Sequence, residues 1–345
     1  MIPIQNIYYM LSYAFQVLNE QGYKNIATEQ FNNTAELMAA ILEKGIAIQL
    51  KRGLGKEYIL QTEALSSLRG KIDIAESIKT QSMLRKQLIC TYDEFSVNSI
   101  MNRIIKSTVE LLLRSNISKQ RKKNLRKLMV YFREVDFIDL YTVNWNVQYN
   151  RNNQTYRMLI SICYLVVKGL LQTQSNGHTE LMDFLDEQRM CRLYEKFILE
   201  YYRKEFKNQF TANASQIPWQ LDNEENSMLP VMQSDIMLQS GEKVLIIDAK
   251  YYEHSTQVQF DKHTLHSGNL YQIFTYVKNK EYELREKNHT VSGMLLYAKT
   301  DEEIYPNNVY QMSGNQITVR TLDLNLPFDE IAGQLNTIAK THFDL

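Results

Sequence analysis

Val244-Leu245-Ile246-Ile247-Asp248-Ala249-Lys250-Tyr251-Tyr252 decides the reading of this chain. The apolar run Val244 to Ile247 has the composition of a strand buried on both faces. It ends in a carboxylate and an amine two residues apart. Side chains alternate along a strand, so Asp248 and Lys250 share one face while Ala249 points to the other. A residue as small as Ala249 suits packing against a helix. Asp235 lies thirteen residues upstream in a second apolar stretch, Val231 to Leu238. Between the two stretches, Gln239-Ser240-Gly241-Glu242-Lys243 reads as a hairpin loop. Two antiparallel strands joined in this way bring Asp235 and Asp248 to one sheet edge with Lys250 beside them. Unpaired carboxylates are costly to bury, so two of them in apolar strands call for a partner such as a metal ion.

The chemistry explains the residue types. A phosphodiester is anionic and resists attack, so its hydrolysis benefits from a hard cation that neutralises developing charge and lowers the pKa of a water. Magnesium takes oxygen ligands and is commonly held by one or two carboxylates plus waters and substrate. Asp235 and Asp248 are candidate ligands, the carbonyl of Ala249 is another, and Lys250 reaches the attacking water or the phosphate. An isolated Asp-x-Lys is most often a solvated strand end; the second aspartate shifts the balance towards a nuclease site. Downstream, Ser267 to Val277 reads as a helix start followed by a mixed helix. Gln272 and Tyr276 are four apart on one face of it, placed to steady Lys250 and touch a phosphate, although Tyr276 equally suits the core. Upstream, Met190 to Phe206 is a helical stretch with apolar Leu193, Phe197, Ile198 and Tyr201. Glu195 in its first turns is either a further metal ligand or a surface carboxylate.

Asp235, Asp248-Ala249-Lys250 and the Gln272/Tyr276 pair resemble the PD-(D/E)xK nuclease core in its RecB-like variety. Ile4-Gln5-Asn6-Ile7-Tyr8-Tyr9-Met10-Leu11, Leu68-Arg69-Gly70-Lys71-Ile72, Asn102-Arg103-Ile104-Ile105-Lys106-Ser107-Thr108 and Leu245 to Tyr252 resemble the McrC family, in order and from the first residues to beyond Tyr276. That resemblance implies an endonuclease subunit of a modification-dependent restriction system. It would act with an McrB-like hexameric AAA+ GTPase that recognises methylated cytosine, translocates double-stranded DNA and binds the GTP. It also implies that the N-terminal part stimulates the partner's GTPase from within the ring's pore. Asp235, Asp248 and Lys250 carry over as the catalytic positions, with Gln272, Tyr276 and Glu195 beside them and Mg2+ as the cofactor. One departure stands out: Ser234 rather than proline precedes Asp235, with Pro230 four places earlier. The alternative class is a nuclease-fold assembly or regulatory subunit that activates the GTPase with cutting secondary or lost. Charged groups retained in apolar strands favour the nuclease.

Composition sets the frame. The 345 residues are 44% hydrophobic and 23% charged, enough for a sizeable core and about two domains. Formal net charge is zero, so no global field draws the chain to DNA; this fits a subunit delivered by a partner. Cys90, Cys163 and Cys191 are far apart without ligand spacing, which suits a reducing cytoplasm. No charged-then-apolar pattern of the kind expected of a secretory signal opens the chain. The most apolar run, Met158 to Leu171, is too short to span a bilayer, contains Lys168, and reads as a buried helix.

The expected fold class is α/β, in three parts. Residues 1–90 form an α+β partner-binding region with a hairpin arm. It begins with an amphipathic helix, Ile4 to Leu18, whose Tyr8, Tyr9 and Tyr13 suit either core or contact. A helix Thr34 to Gly45 and strand-like pieces Ile46 to Leu50, Tyr58 to Thr62 and Gly70 to Ile74 follow. Lys51-Arg52-Gly53-Leu54-Gly55-Lys56-Glu57 lacks the residues of a Walker A loop and reads as a hairpin tip, with Arg52 and Lys56 as candidates for contacting the GTPase. Residues 91–180 read helical, with apolar spacing over Asn98 to Ser115. Lys119-Gln120-Arg121-Lys122-Lys123-Asn124-Leu125-Arg126-Lys127 can grip phosphate, but Leu125, Leu128 and Met129 favour a packed amphipathic helix with a solvated face. Asn152-Asn153-Gln154 sits in a polar loop. Residues 181–345 form the PD-(D/E)xK restriction-endonuclease-like domain, a mixed central sheet flanked by helices. It includes a helix over Arg189 to Phe206, a strand or loop near Trp219, the Asp235 and Asp248 strands and a helix over Leu270 to Lys280. Strands Val291 to Tyr297 and Gln316 to Leu322 and a final helix from Pro327 to Lys340 complete it.

Overall fold

The computed structural model describes the chain except for residues 1, 16–17, 19–22, 24–25, 27–28, 30, 152, 154, 175–186, 223–227, 253–256, 260–261 and 300–304. Asn152 and Gln154 of the expected polar loop therefore lie outside the described residues. The contacts gather into two units, one of residues 1–31 with 183–345 and one of residues 32–182. The opening helix, α1 (Ile4–Ala14), belongs with the C-terminal residues rather than with the segment that follows it. It buries Ile7, Met10 and Leu11 there. Asn6 Nδ2 donates to the carbonyls of Leu324 at 2.7 Å and Leu326 at 2.8 Å. Tyr9 stacks on Phe328 and Tyr13 OH donates to Glu205 Oε1. Tyr8 is buried, and Tyr9 and Tyr13 make their contacts inside this unit.

The second unit starts with α2 (Thr34–Arg52), capped by Asn33, whose side chain accepts from Glu36 N. Here the structure corrects the sequence reading. Ile46 to Leu50 is not a strand but the last turns of α2. Buried positions 41, 42, 45, 46 and 49 repeat with the helical period, which outweighs the short apolar alternation. Lys51 and Arg52 consequently end α2, and residues 53–56 are a helix-to-strand connection that leads into Glu57, not a hairpin tip. It is pinned at Gly55, whose N–H donates to Tyr156 OH at 2.7 Å and whose carbonyl accepts from Asn102 Nδ2 at 2.9 Å. Next come β1 (Glu57–Leu65), β2 (Lys71–Asp73), α3 (Ile74–Lys79) and β3 (Leu88–Ser96), which form an antiparallel sheet of order β1-β3-β2. The helices α4 (Ile100–Arg114), α5 (Lys119–Met129) and α6 (Tyr156–Gln174) complete the unit. Ile104, Val109, Leu112, Leu125, Leu159, Ile162 and Cys163 are buried with the apolar side of α2. Among the described residues no helix is long and apolar enough to cross a membrane.

The first unit is completed by α7 (Glu187–Glu205), β4 (Thr211–Asn213), β5 (Gln216–Ile217), β6 (Met232–Gln233), β7 (Ile236–Ser240) and β8 (Lys243–Lys250). They are followed by β9 (Gln257–Gln259), β10 (Lys262–Thr264), α8 (Ser267–Glu283), β11 (Thr290–Ala298), β12 (Asn308–Met312), β13 (Asn315–Leu322) and α9 (Phe328–Phe343). A six-stranded sheet runs β12-β13-β11-β8-β7-β4. β8, β11 and β13 are parallel and the other pairings antiparallel, so the sheet is mixed as expected. The β7–β8 hairpin closes through Gly241 and Glu242, with Ser240 paired to Lys243. Gly241 has φ of +55°, a left-handed conformation that glycine adopts without penalty. α8 packs on the face carrying Val244, Ile246, Val291, Leu295 and Ile317. Gly293 permits that approach, because a Cβ there would lie 2.8 Å from atoms of both Ile273 and Ile317. Leu245, Ile247 and Ala249 are buried on the opposite face, where α7 is tied to α9 by Tyr202 OH donating to the carbonyl of Leu335. The whole interior of β8, Val244 to Ala249, is buried, as its apolar run requires.

Candidate active site

The site forms where β8 ends. Ile236 pairs with Ile247, and extending that register by one residue sets Asp235 opposite Asp248. The chain breaks between β6 and β7 at Ser234 and Asp235. Ser234 N–H donates to the carbonyl of Ser215 at 3.0 Å, a bond a proline could not make, so serine here has a structural reason. Asp235 Oδ2 then accepts from Ala249 N–H at 3.0 Å. Asp248 is 1% exposed, and its Oδ2 lies 2.8 Å from Lys250 Nζ. Yet neither carboxylate oxygen of Asp248 accepts a well-directed hydrogen bond.

Lys250 points to the α8 side of the sheet, the same side as Val244 and Ile246. Its Nζ donates to Gln272 Oε1 at 3.3 Å, and Gln272 Nε2 donates to Tyr276 OH at 2.9 Å. The four-residue spacing on α8 thus makes one chain of contacts to the lysine. Tyr276 is also in the core beneath it, and its hydroxyl reaches the lysine only through Gln272. A second chain runs alongside: Tyr252 OH donates to Asn269 Oδ1, and Asn269 Nδ2 donates to Tyr297 OH. Tyr297 pairs with Lys250 across β8 and β11.

α7 supplies the third side. Cys191 Sγ donates to Glu195 Oε1 at 3.0 Å and lies 3.9 Å from the Ala249 carbonyl. The helix therefore places Glu195 near the outer edge of the same cluster. A cavity of about 380 Å³ is lined by Arg192, Glu195, Lys196, Ser234 and Asp235, among others. Sequence reading did not single out Cys191, Arg192, Lys196, Asn269 or Tyr297. Cys191 and Arg192 stand four and three residues before Glu195 on the same helix, a spacing that could have found them; Lys196, adjacent to Glu195 in sequence, gives no such signal. By contrast, Arg52 and Lys56 lie in the other unit: Arg52 is the exposed last residue of α2, and Lys56 Nζ sits 5.7 Å above the Phe95 ring.

Electrostatics follow from the crowding. Burial pushes the Asp248 carboxyl up to about 7; the neighbouring Asp235 charge adds to this and Lys250 opposes it. Asp235 is raised by burial against the pull of Lys250 and the Ala249 N–H. Glu195 is raised by burial and by the Asp235 charge. Burial alone would discharge Lys250, but Asp248 and Asp235 override it and hold the ammonium above its ordinary pKa. Burial and the Glu195 carboxylate push the Cys191 thiol to about 12, so it stays protonated. One ammonium thus faces several carboxylates whose charge it cannot fully balance. Among the described residues no three His, Cys, Asp or Glu side chains converge into a ready-made metal cage. Two carboxylates and a main-chain carbonyl still suit a magnesium ion, which keeps several waters, and Asp248, whose one close partner is the Lys250 ammonium, has oxygens that fit such an ion.

A mixed α/β unit with two facing aspartates and a lysine at the carboxyl end of a central parallel strand defines the class. Strand ends of this kind are where open α/β sheets place ligands. The chain belongs to the family described as McrBC 5-methylcytosine restriction system component, whose model matches residues 5–298. It is 29% identical over 330 residues to the type IV methyl-directed restriction enzyme EcoKMcrBC of Escherichia coli K12, covering 94% of this chain and 93% of that protein. Among solved structures it is similar to a half-complex from a tetradecameric assembly of Thermococcus gammatolerans McrB AAA+ hexamers with bound McrC. There the identity is 19% and the TM-score 0.47, over 97% of this chain and 76% of that one. A cryo-EM structure of the Thermococcus gammatolerans McrBC complex matches with 21% identity and a TM-score of 0.40 over 59% of each chain.

Proposed function

We propose that this chain is the endonuclease subunit of a GTP-dependent, modified-cytosine-directed DNA restriction complex, with a PD-(D/E)xK core of the RecB-like variety. The observation that carries this reading is Asp248: a buried carboxylate without a directed donor, set opposite Asp235 and beside a lysine that stays charged. Asp235, Asp248 and the Ala249 carbonyl would hold Mg2+, with Glu195 at the rim. The ion would neutralise charge on the scissile phosphate and lower the pKa of a water. The protein's own groups do the rest. Lys250 keeps its proton, so it serves as a fixed cation for a phosphate oxygen rather than as a base. Gln272 and Tyr276 hold it in place, which avoids reorganisation when charge develops. Cys191 donates to Glu195 and fixes the orientation of that carboxylate.

Family membership supports a McrB-like AAA+ GTPase hexamer as partner, with GTP bound by the partner and modified double-stranded DNA as substrate. Arg52 and Lys56 are our candidates for contacting it. Exposed Tyr58, Leu60 and Phe95 on the neighbouring strands β1 and β3 give the same region an apolar surface suited to a protein. The test is cleavage of methylated duplex DNA by the reconstituted complex with GTP and Mg2+. Asp248→Ala should abolish cutting while GTP hydrolysis continues. Cutting at the wild-type rate would refute the assignment.

A further inference from the structure

The basic block on α5 is not used by the site above. Arg121 is its one inward-facing cation: it bonds Glu36 Oε1 at 3.3 Å and Glu43 Oε2 at 2.8 Å on α2. Asn124 Nδ2 also donates to Glu43, and Leu125 is fully buried. These residues dock the helix. Lys119, Lys122, Lys123, Arg126 and Lys127 lie at i, i+3, i+4, i+7 and i+8, so they form one stripe away from that docked side. All but the half-buried Lys122 are exposed. Among the described residues none of the five is paired with a carboxylate. From Lys119 to Arg133 the sequence contains no Asp or Glu.

This arrangement is unfavourable for an isolated helix. Lys119/Lys123, Lys122/Arg126 and Lys123/Lys127 are like-charge pairs at i, i+4, which destabilise a helix. Lys119 also opens the helix, where the macrodipole disfavours a cation. A merely solvated face would carry alternating charges. In a chain of zero formal net charge, five unpaired cations on one stripe are a segregation that asks for a polyanion.

We infer that this face of α5 binds the phosphate backbone of duplex DNA without reading its sequence. The stripe is about 12 Å long at 1.5 Å per residue. Phosphates advance about 3.4 Å per nucleotide along one strand, so the stripe spans about three or four of them. The contact belongs to the unit of residues 32–182, whereas the nuclease site belongs to the other unit, and it rests on the DNA substrate proposed above.

The test measures binding alone, so it does not depend on cutting. The full-length protein is titrated onto an unmodified, fluorescently labelled duplex at several salt concentrations. The wild type should bind at low salt with a slope of log K against log salt of about −3, about 0.9 for each phosphate engaged. A Lys119→Gln/Lys123→Gln/Arg126→Gln/Lys127→Gln variant should lose about tenfold or more in affinity and most of that slope. A Lys119→Arg/Lys123→Arg/Lys127→Arg variant should bind as wild type. Because the glutamines relieve like-charge pairs, the first variant should melt no lower than wild type. The titration is run in chelator and reads binding without cleavage, so a failed nuclease assignment leaves this result readable. Absence of salt-dependent binding by the wild type overturns the proposal. So does an unchanged affinity and slope in the glutamine variant, including the case in which that variant instead loses association with the GTPase.

Discussion

Asp248→Asn in metal-free protein separates the charge at this site from its shape. The amide is isosteric, so packing is unchanged, but one of the carboxylates facing Lys250 is gone. In the wild type the folded pKa of Asp248 is raised from 3.8 to about 7. A raised carboxyl contributes stability that is complete below its unfolded pKa and is lost as pH rises through the folded one. Above about pH 7 the wild type therefore carries a buried charge that prefers to be neutral by about 4 kcal/mol. The amide is neutral at every pH, but it gives up the contact with Lys250, which offsets part of the difference. We expect a net gain on the order of 1–2 kcal/mol near pH 8, or about 2–8 °C in melting temperature for a unit of this size. The gain should shrink towards pH 5. Mg2+ should act in the opposite sense. At tenfold excess over its Kd it stabilises the wild type by about 1.4 kcal/mol and the variant hardly at all. Differential scanning fluorimetry in chelator and in Mg2+ reads both effects. A variant that melts well below wild type in chelator, or gains as much from Mg2+, would refute the reasoning.

Other outcomes follow from the same geometry. Protons and metal compete for Asp248, so the Mg2+ concentration needed for half-maximal cleavage should rise as pH falls below about 7, by up to tenfold per unit; an unchanged requirement between pH 6 and 8 would argue against a titrating ligand. Gly293→Ala should cost about 1–3 kcal/mol in urea unfolding, because the new Cβ meets Ile273, Ile317 and Val277, and an unshifted midpoint would show that α8 yields freely there. Arg52→Ala with Lys56→Ala should reduce stimulation of the partner's GTPase while leaving the melting temperature within a few degrees; undiminished stimulation would remove both residues from the contact.

What the sequence disclosed depended on how far each signal reached. The strands holding Asp248 and Val291, and the helix carrying Gln272 and Tyr276, were legible because apolar runs and four-residue spacings are local; the stretch Val231 to Leu238 is instead two strands, and Asp235 sits in the break just before the second. Glycine at 241 marked the hairpin for the same reason. The end of α2 was not: Ile46 to Leu50 alternates like a strand over five residues, and only burial at 41, 42, 45, 46 and 49 reveals the helix. β3 went unread because Asp93 and Glu94 interrupt a half-buried strand whose apolar Phe95 faces outwards. Long-range placement was invisible too. Nothing local shows that α1 joins the C-terminal residues through Asn6 and Tyr9. The four-residue spacing of Cys191 and Glu195 is local, but nothing local shows that this pair lies beside the Ala249 carbonyl or that Tyr297 stands across from Lys250. The role of Asn102 in pinning Gly55 likewise needed the third dimension.

In the proposed reaction Asp235, Asp248 and the Ala249 carbonyl hold the ion used to cut DNA. Anomalous diffraction from crystals grown with Mn2+ tests it most directly. A peak is expected within about 2.0–2.3 Å of an Asp248 carboxylate oxygen, lost in Asp248→Asn. A fully occupied Mn2+ elsewhere in an active complex, with nothing at Asp248, would contradict it.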